Sequence, residues 1–275
     1  MRQTSVKTIF ALPPVDTRSF TTSWLLKPLL LALLRLLVFT YALATQLANW
    51  IYDGTHSAAR DIGREFSYFT VLTFWGILFY YLVAGVHTLV YTLKGRAWLD
   101  RWPGALQQLH SFFYTTIITL PILVTLVYWI VLYDEPWFPV VFDGWSNVSR
   151  HALNSLFALL EIFLPATHPP PLLHLVGLII LLLLYLALAY LTHATQHFYV
   201  YDFLDPDNGS GKVTGYCFGI AAAIIVVFGV VWLLIWLRRR FTREGKLSRH
   251  DITWRNTRTD PEMEMAADPS MSRVK

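Results

Sequence analysis

Residues 172–192 read LLHLVGLIILLLLYLALAYLT, a run without a single Asp, Glu, Lys or Arg. About 20 such residues are enough for a helix to cross the hydrocarbon of a bilayer. Hydrocarbon offers the backbone no hydrogen-bond partners, so a segment placed there must satisfy its own N–H and C=O groups. That restricts the run to a helix. Residues 24–52, 67–93, 110–133, 147–165 and 215–237 read as further spans, and the whole chain is 55% hydrophobic and only 15% charged. The expected fold is therefore all-α: a polytopic membrane helical bundle of about six transmembrane helices over residues 1–245. Residues 246–275 are polar, carry mixed charge, have no apolar face to bury, and are expected to form a disordered cytoplasmic tail. The first residues lack a signal-peptide pattern, so the first span is expected to act as its own anchor.

Loop charges set the expected direction. Arg2, Lys7 and Arg18 precede the first span, Lys94, Arg96 and Arg101 follow the second, and Arg238-Arg239-Arg240 follow the last. Asp134, Glu135 and Asp143 populate the third loop, and Asp202, Asp205 and Asp207 face one Lys in the fifth. Basic loops stay cytoplasmic, so both termini are expected there. Arg60 and Arg64 in the first loop agree less well with this rule. The basic cluster after the last span reads as a contact for membrane lipids, with no nucleic-acid site implied. One cysteine, Cys217, leaves no internal disulfide and no multi-cysteine metal site.

The fourth span is the most polar. Asn147, His151, Asn154, Ala158 and Glu161 recur at helical spacing within a stripe roughly 80° wide. Asn147 and His151 lie near its outer end, at the expected depth of Thr70 and Thr73 in the second span. Tyr190, His193 and His197 arrive at the same layer from the fifth span, and Gln46, Asn49 and Asp53 from the first. Glu161 lies about 15 Å deeper than His151, where His87 becomes a candidate partner for its carboxylate.

Asn147-x-x-x-His151 followed by Glu161, the opening Tyr68-Phe69-Thr70, and Tyr199-Val200-Tyr201-Asp202-Phe203-Leu204 together resemble the androgen-induced-gene membrane proteins and the related rolling-stone-like proteins, over roughly residues 60–210. The resemblance implies a threonine-dependent hydrolase of lipid esters, notably fatty acid esters of hydroxy fatty acids, with a lipid substrate and no cofactor. It maps the base onto His151 and the nucleophile onto Thr70, with Thr73 as the alternative. A neutral imidazole could take the threonine proton and so activate the hydroxyl. Asn147 could orient the ring or donate to an oxyanion.

Three other readings stand beside this one. Thr hydroxyls in membrane helices commonly bond an upstream carbonyl, and Asn and His commonly join helices, so the same residues fit a non-enzymatic scaffold or signalling protein. His193-x-x-x-His197 has the spacing of two metal ligands on one helix face, with His151 as a third, although no carboxylate base accompanies them. A transporter would need paired broken helices, which the spans do not show. Asn208-Gly209-Ser210 is a glycosylation sequon on the fifth loop. The expected compartment is the endoplasmic reticulum or plasma membrane.

Overall fold

The computed structural model describes residues 14–56, 60–134 and 136–242. The expected tail, Arg60's side chain and Glu135 lie outside the described residues or side chains. Among the described residues there are eight α-helices: α1 (Pro28–His56), the short α2 (Arg60–Glu65), α3 (Phe69–Lys94), α4 (Gly104–Val127), α5 (Val141–Val148), α6 (Asn154–Phe163), α7 (Leu173–Gln196) and α8 (Ser210–Phe241). Among the described residues there is no β-strand, only an isolated bridge between Ser23 and Pro165. Helices α1, α3, α4 with its continuation to Leu132, α7 and α8 are long and apolar enough to cross a membrane. This is an all-α integral membrane bundle.

The fourth expected span departs from the simple picture. Helix α5 begins at Val141, and a π-helical turn, Ser149–Leu153, joins it to α6. The segment is helical but too polar and too interrupted to count as an apolar span by itself. Its polar stripe faces inward: Asn147, Asn154, Ala158 and Glu161 are all buried. A second π turn, Tyr128–Leu132, ends α4 directly opposite.

Packing is most extensive between α1 and α3. Gly85 permits it, because a Cβ there would stand 2.9 Å from Leu36 Cδ2. Gly177 on α7 does the same against Phe112 of α4, where a Cβ would lie 2.6 Å from the ring. Lipid supplies no hydrophobic drive between spans, so such small residues set how near two backbones come. The apolar core then fills with Phe74, Ile77, Tyr80, Tyr81, Ile118 and Ile162, among others.

Two polar assemblies brace the half of the bundle that holds the end of α3. Arg35 of α1 and Glu161 of α6 form a fully buried bidentate pair at 2.8 and 2.7 Å, to which the Tyr80 hydroxyl adds a bond at 3.2 Å. Arg35 also donates to the Phe20 carbonyl and the Thr88 hydroxyl. His87 is therefore not the partner of Glu161: a guanidinium buried at the same depth meets the carboxylate with two parallel bonds and a full charge. The His87 ring packs instead among Trp98, Trp102 and His110.

At the end of α6 the last carbonyls have no helical donors. Arg238 donates to Ile162 at 2.6 Å, Trp24 Nε1 to Phe163 at 2.6 Å, and Ser23 Oγ to Leu164. Arg239 reaches the Ala166 carbonyl at 2.8 Å. Within the basic cluster expected to face headgroups, Arg238 is thus turned inward and only Arg240 is exposed. Helix capping takes precedence because an unpaired carbonyl in hydrocarbon costs several kcal/mol, on the order of a lost hydrogen bond or more.

Candidate functional site

At the opposite end of the bundle, the start of α3, the α5–α6 junction and the segment after α7 enclose a cavity of about 510 Å³. Its wall includes Thr70 and His151, together with Glu65, Arg150, Tyr128 and Tyr201. Thr70 is the second residue of α3, so no full turn of that helix precedes it to accept from its hydroxyl. The phenol of Tyr201 stands beside that hydroxyl and lines the same cavity. Thr73 differs. Its hydroxyl donates to the Thr70 carbonyl at 2.9 Å, and its side chain lines a separate apolar cavity with His110.

His151 sits in the π turn between α5 and α6. Its Nδ1 is 3.1 Å from the Asn147 carbonyl. A carbonyl can only accept, so this bond places the ring proton on Nδ1 and leaves the Nε2 lone pair for another group. The face of the ring stacks on Tyr128, with centroids 3.6 Å apart and planes 13° from parallel. Asn147 Nδ2 donates to the Tyr128 hydroxyl. Asn147 therefore holds the imidazole twice, through its own carbonyl and through Tyr128, which takes one of its two amide N–H donors. Both π turns contribute to the stack, Tyr128 from one and His151 from the other. Such turns place side chains where a regular helix would not.

In the cavity wall lies a charged pair that sequence reasoning missed. Arg150 donates to Glu65 at 2.9 Å, and Glu65 also accepts from Gln46 at 3.1 Å and from Trp50 at 2.9 Å. Like Arg35 and Glu161, these are opposite charges in otherwise apolar surroundings, and such charges pair because an isolated one is too costly. That rule, applied to the few charges in and beside the spans, was the available signal.

The remaining candidates do not join the site. His193 stacks on Tyr199 with centroids 3.7 Å apart. His197 ends α7 in the left-handed conformation at φ 60°, so it leaves the helix face that it was expected to share with His193. No cluster of three His, Cys, Asp or Glu side chains able to hold a metal occurs among the described residues. The structure thus separates the three histidines of the metal reading. Glu161 serves the buried Arg35 pair and not the cavity.

The polar cavity is not isolated. A smaller apolar cavity of about 140 Å³ shares Thr70, Tyr128, Leu132 and Tyr201 with it and is otherwise lined mainly by aliphatic side chains of α4, α7 and α8. Thr70 therefore stands where a polar compartment meets an apolar one.

A family model described as FAR-17a/AIG1-like protein matches residues 30–239, which include every helix except the last residues of α8 and the first of α1. The chain belongs to the FAR-17a/AIG1-like family. No curated protein and no solved structure matches it significantly. Both Thr70 and His151 of this FAR-17a/AIG1-like chain fall inside the matched region.

Proposed function

We propose that this protein is an integral membrane lipid-ester hydrolase in which Thr70 is the nucleophile and His151 the base. The observation that carries the reading is that these two side chains, from different helices, line one cavity while His151 keeps Nε2 unengaged by its orienting bond. In the reaction, Nε2 takes the Thr70 proton as the oxygen attacks the ester carbonyl. The tetrahedral oxyanion collapses, the alcohol departs with the proton from His151, and the acyl group stays on Thr70. Water, deprotonated by His151, then attacks the acyl-threonine, and the threonine oxygen takes the proton back as the fatty acid leaves.

Tyr201 supports the same chemistry. Its oxygen accepts from the Phe69 N–H at 3.2 Å and lies beside the hydroxyls of Thr70 and Tyr185. Burial pushes this phenol above its ordinary range, so it stays protonated at neutral pH. A phenol so placed can donate to the developing oxyanion. The apolar cavity that adjoins Thr70 suits the hydrocarbon of a lipid ester, and the family's implied substrates, fatty acid esters of hydroxy fatty acids, have that form. The site faces the lumen or exterior in this reading, with both termini cytoplasmic, in the endoplasmic reticulum or plasma membrane.

A non-enzymatic scaffold is the second reading, and one observation favours it: the Tyr201 phenol stands beside the Thr70 hydroxyl, where the two can join their segments. Hydrolysis separates the two. Membranes bearing the wild type should cleave a fluorogenic long-chain ester, Thr70→Ala and His151→Ala should abolish the activity, and Thr73→Ala should retain it. Normally folded protein without any esterase activity would favour the scaffold.

A further inference from the structure

The first loop carries basic residues on the face that the charge rule would leave without them, and the structure gives one of them a place. Arg64, in the last turn of α2, lines the polar cavity together with Thr70 and His151. Its guanidinium lies 4.9 Å from the centroid of the Phe198 ring, which steadies the group without consuming its hydrogen-bond donors. A second guanidinium, Arg150, lines the same wall, and its Nε is buried with no hydrogen-bond partner.

Only one carboxylate lies among the described residues of that wall, Glu65, and it is occupied by Arg150, Gln46 and Trp50. Arg64 forms no ion pair among the described side chains. Two guanidinium groups thus stand against one carboxylate that is already spent. A compartment with this excess, backed by an apolar bundle, favours an anion. The planar five-donor fork of arginine suits an oxyanion with two equivalent oxygens.

We infer that Arg64 is a specificity-determining residue that binds an anionic oxygen group, a carboxylate or phosphate, carried by the lipid whose ester bond lies at Thr70. Arg150 supports it by neutralising Glu65, so that no net negative charge opposes the ligand. The inference rests on the hydrolase reading for the word substrate, but the binding itself does not require turnover.

The test therefore reads binding. Full-length protein in micelles of an uncharged detergent is melted in the presence of hexadecanoate, hexadecyl phosphate or hexadecanol, which share one hydrocarbon chain. A ligand that binds the folded state raises the melting temperature with its concentration. For the wild type, the apparent affinity for at least one anionic ligand should exceed that for hexadecanol roughly tenfold, the scale of a charge-assisted contact. The better of the two anions identifies the group. Arg64→Gln should remove the preference, and Arg64→Lys should keep part of it, since the charge survives and the fork does not. Equal affinities for the three ligands in the wild type, or a preference unchanged in Arg64→Gln, would overturn the inference. Arg64 is exposed, so its replacement disturbs no core, and the lysine variant provides the control if the glutamine variant melts early. Esterase activity without an anion preference would defeat this inference alone; an anion preference without esterase activity would defeat the hydrolase reading alone.

Discussion

A histidine that is to act as a base needs one nitrogen tied and the other open, and His151 meets that need through its own chain. The Asn147 carbonyl one turn earlier fixes Nδ1, and the Tyr128 ring fixes the plane. Replacing Tyr128 with Leu removes both the stack and the anchor of Asn147, and kcat should fall roughly 10- to 100-fold, the scale of a misplaced catalytic group. Tyr128→Phe keeps the stack and should fall less; steady-state kinetics on a long-chain ester distinguish them. Tyr201→Phe removes the phenol that stands beside Thr70 and should lower kcat on the order of 10²-fold with little change in KM. His151 was legible in the sequence because an ionisable residue amid apolar ones has few structural uses. What distinguishes Thr70 from Thr73 was not. The Thr73 hydroxyl finds the Thr70 carbonyl one turn earlier, and that follows from α3 starting at Phe69.

Among the elements, the α5–α6 segment does the most. Its regular turns bury Asn154 against the Pro121 carbonyl at 3.2 Å, where a proline has already loosened α4. Its π turn delivers His151, and its last turn delivers Glu161 to Arg35. Periodicity at 100° per residue located the stripe but not the π turn, because an inserted residue leaves no mark in a hydrophobic pattern. The partner of Glu161 was missed for another reason: Arg35 sits in a leucine-rich span where its depth, not its spacing, is the clue. Glu161→Leu strands the buried guanidinium and should cost about 3–5 kcal/mol in unfolding experiments in micelles, whereas Arg35→Met combined with Glu161→Leu should cost much less. If the single and double variants lose the same stability, the pair does not act as an ion pair.

On the scale of the whole molecule, the two ends of the bundle divide the labour. One end is closed by arginines, Trp24 and Ser23 on the carbonyls after α6, and the Arg35–Glu161 pair lies just inside it. The other end keeps an open polar cavity that meets an apolar one at Thr70. Five spans and the all-α class were legible from apolar run length alone, whereas the polar fourth segment was not. The cavities were not, since they are made by residues more than a hundred positions apart, such as Thr70 and Tyr201. The proposed orientation puts the cavity on the luminal or exterior side with Asn208, so Ser210→Ala should abolish a glycosidase-sensitive mass shift. A shift that persists in that variant would come from another sequon, and no shift in the wild type would count against the orientation.

The most direct test of the shared Thr70–His151 site is a covalent one. Membranes are treated with a fluorophosphonate, and the modified residue is located by tandem mass spectrometry in the wild type and in His151→Ala. The proposed hydrolase mechanism implies an adduct on the Thr70 oxygen that is lost in His151→Ala. Folded protein that carries no adduct, or carries it on Thr73, would contradict the account.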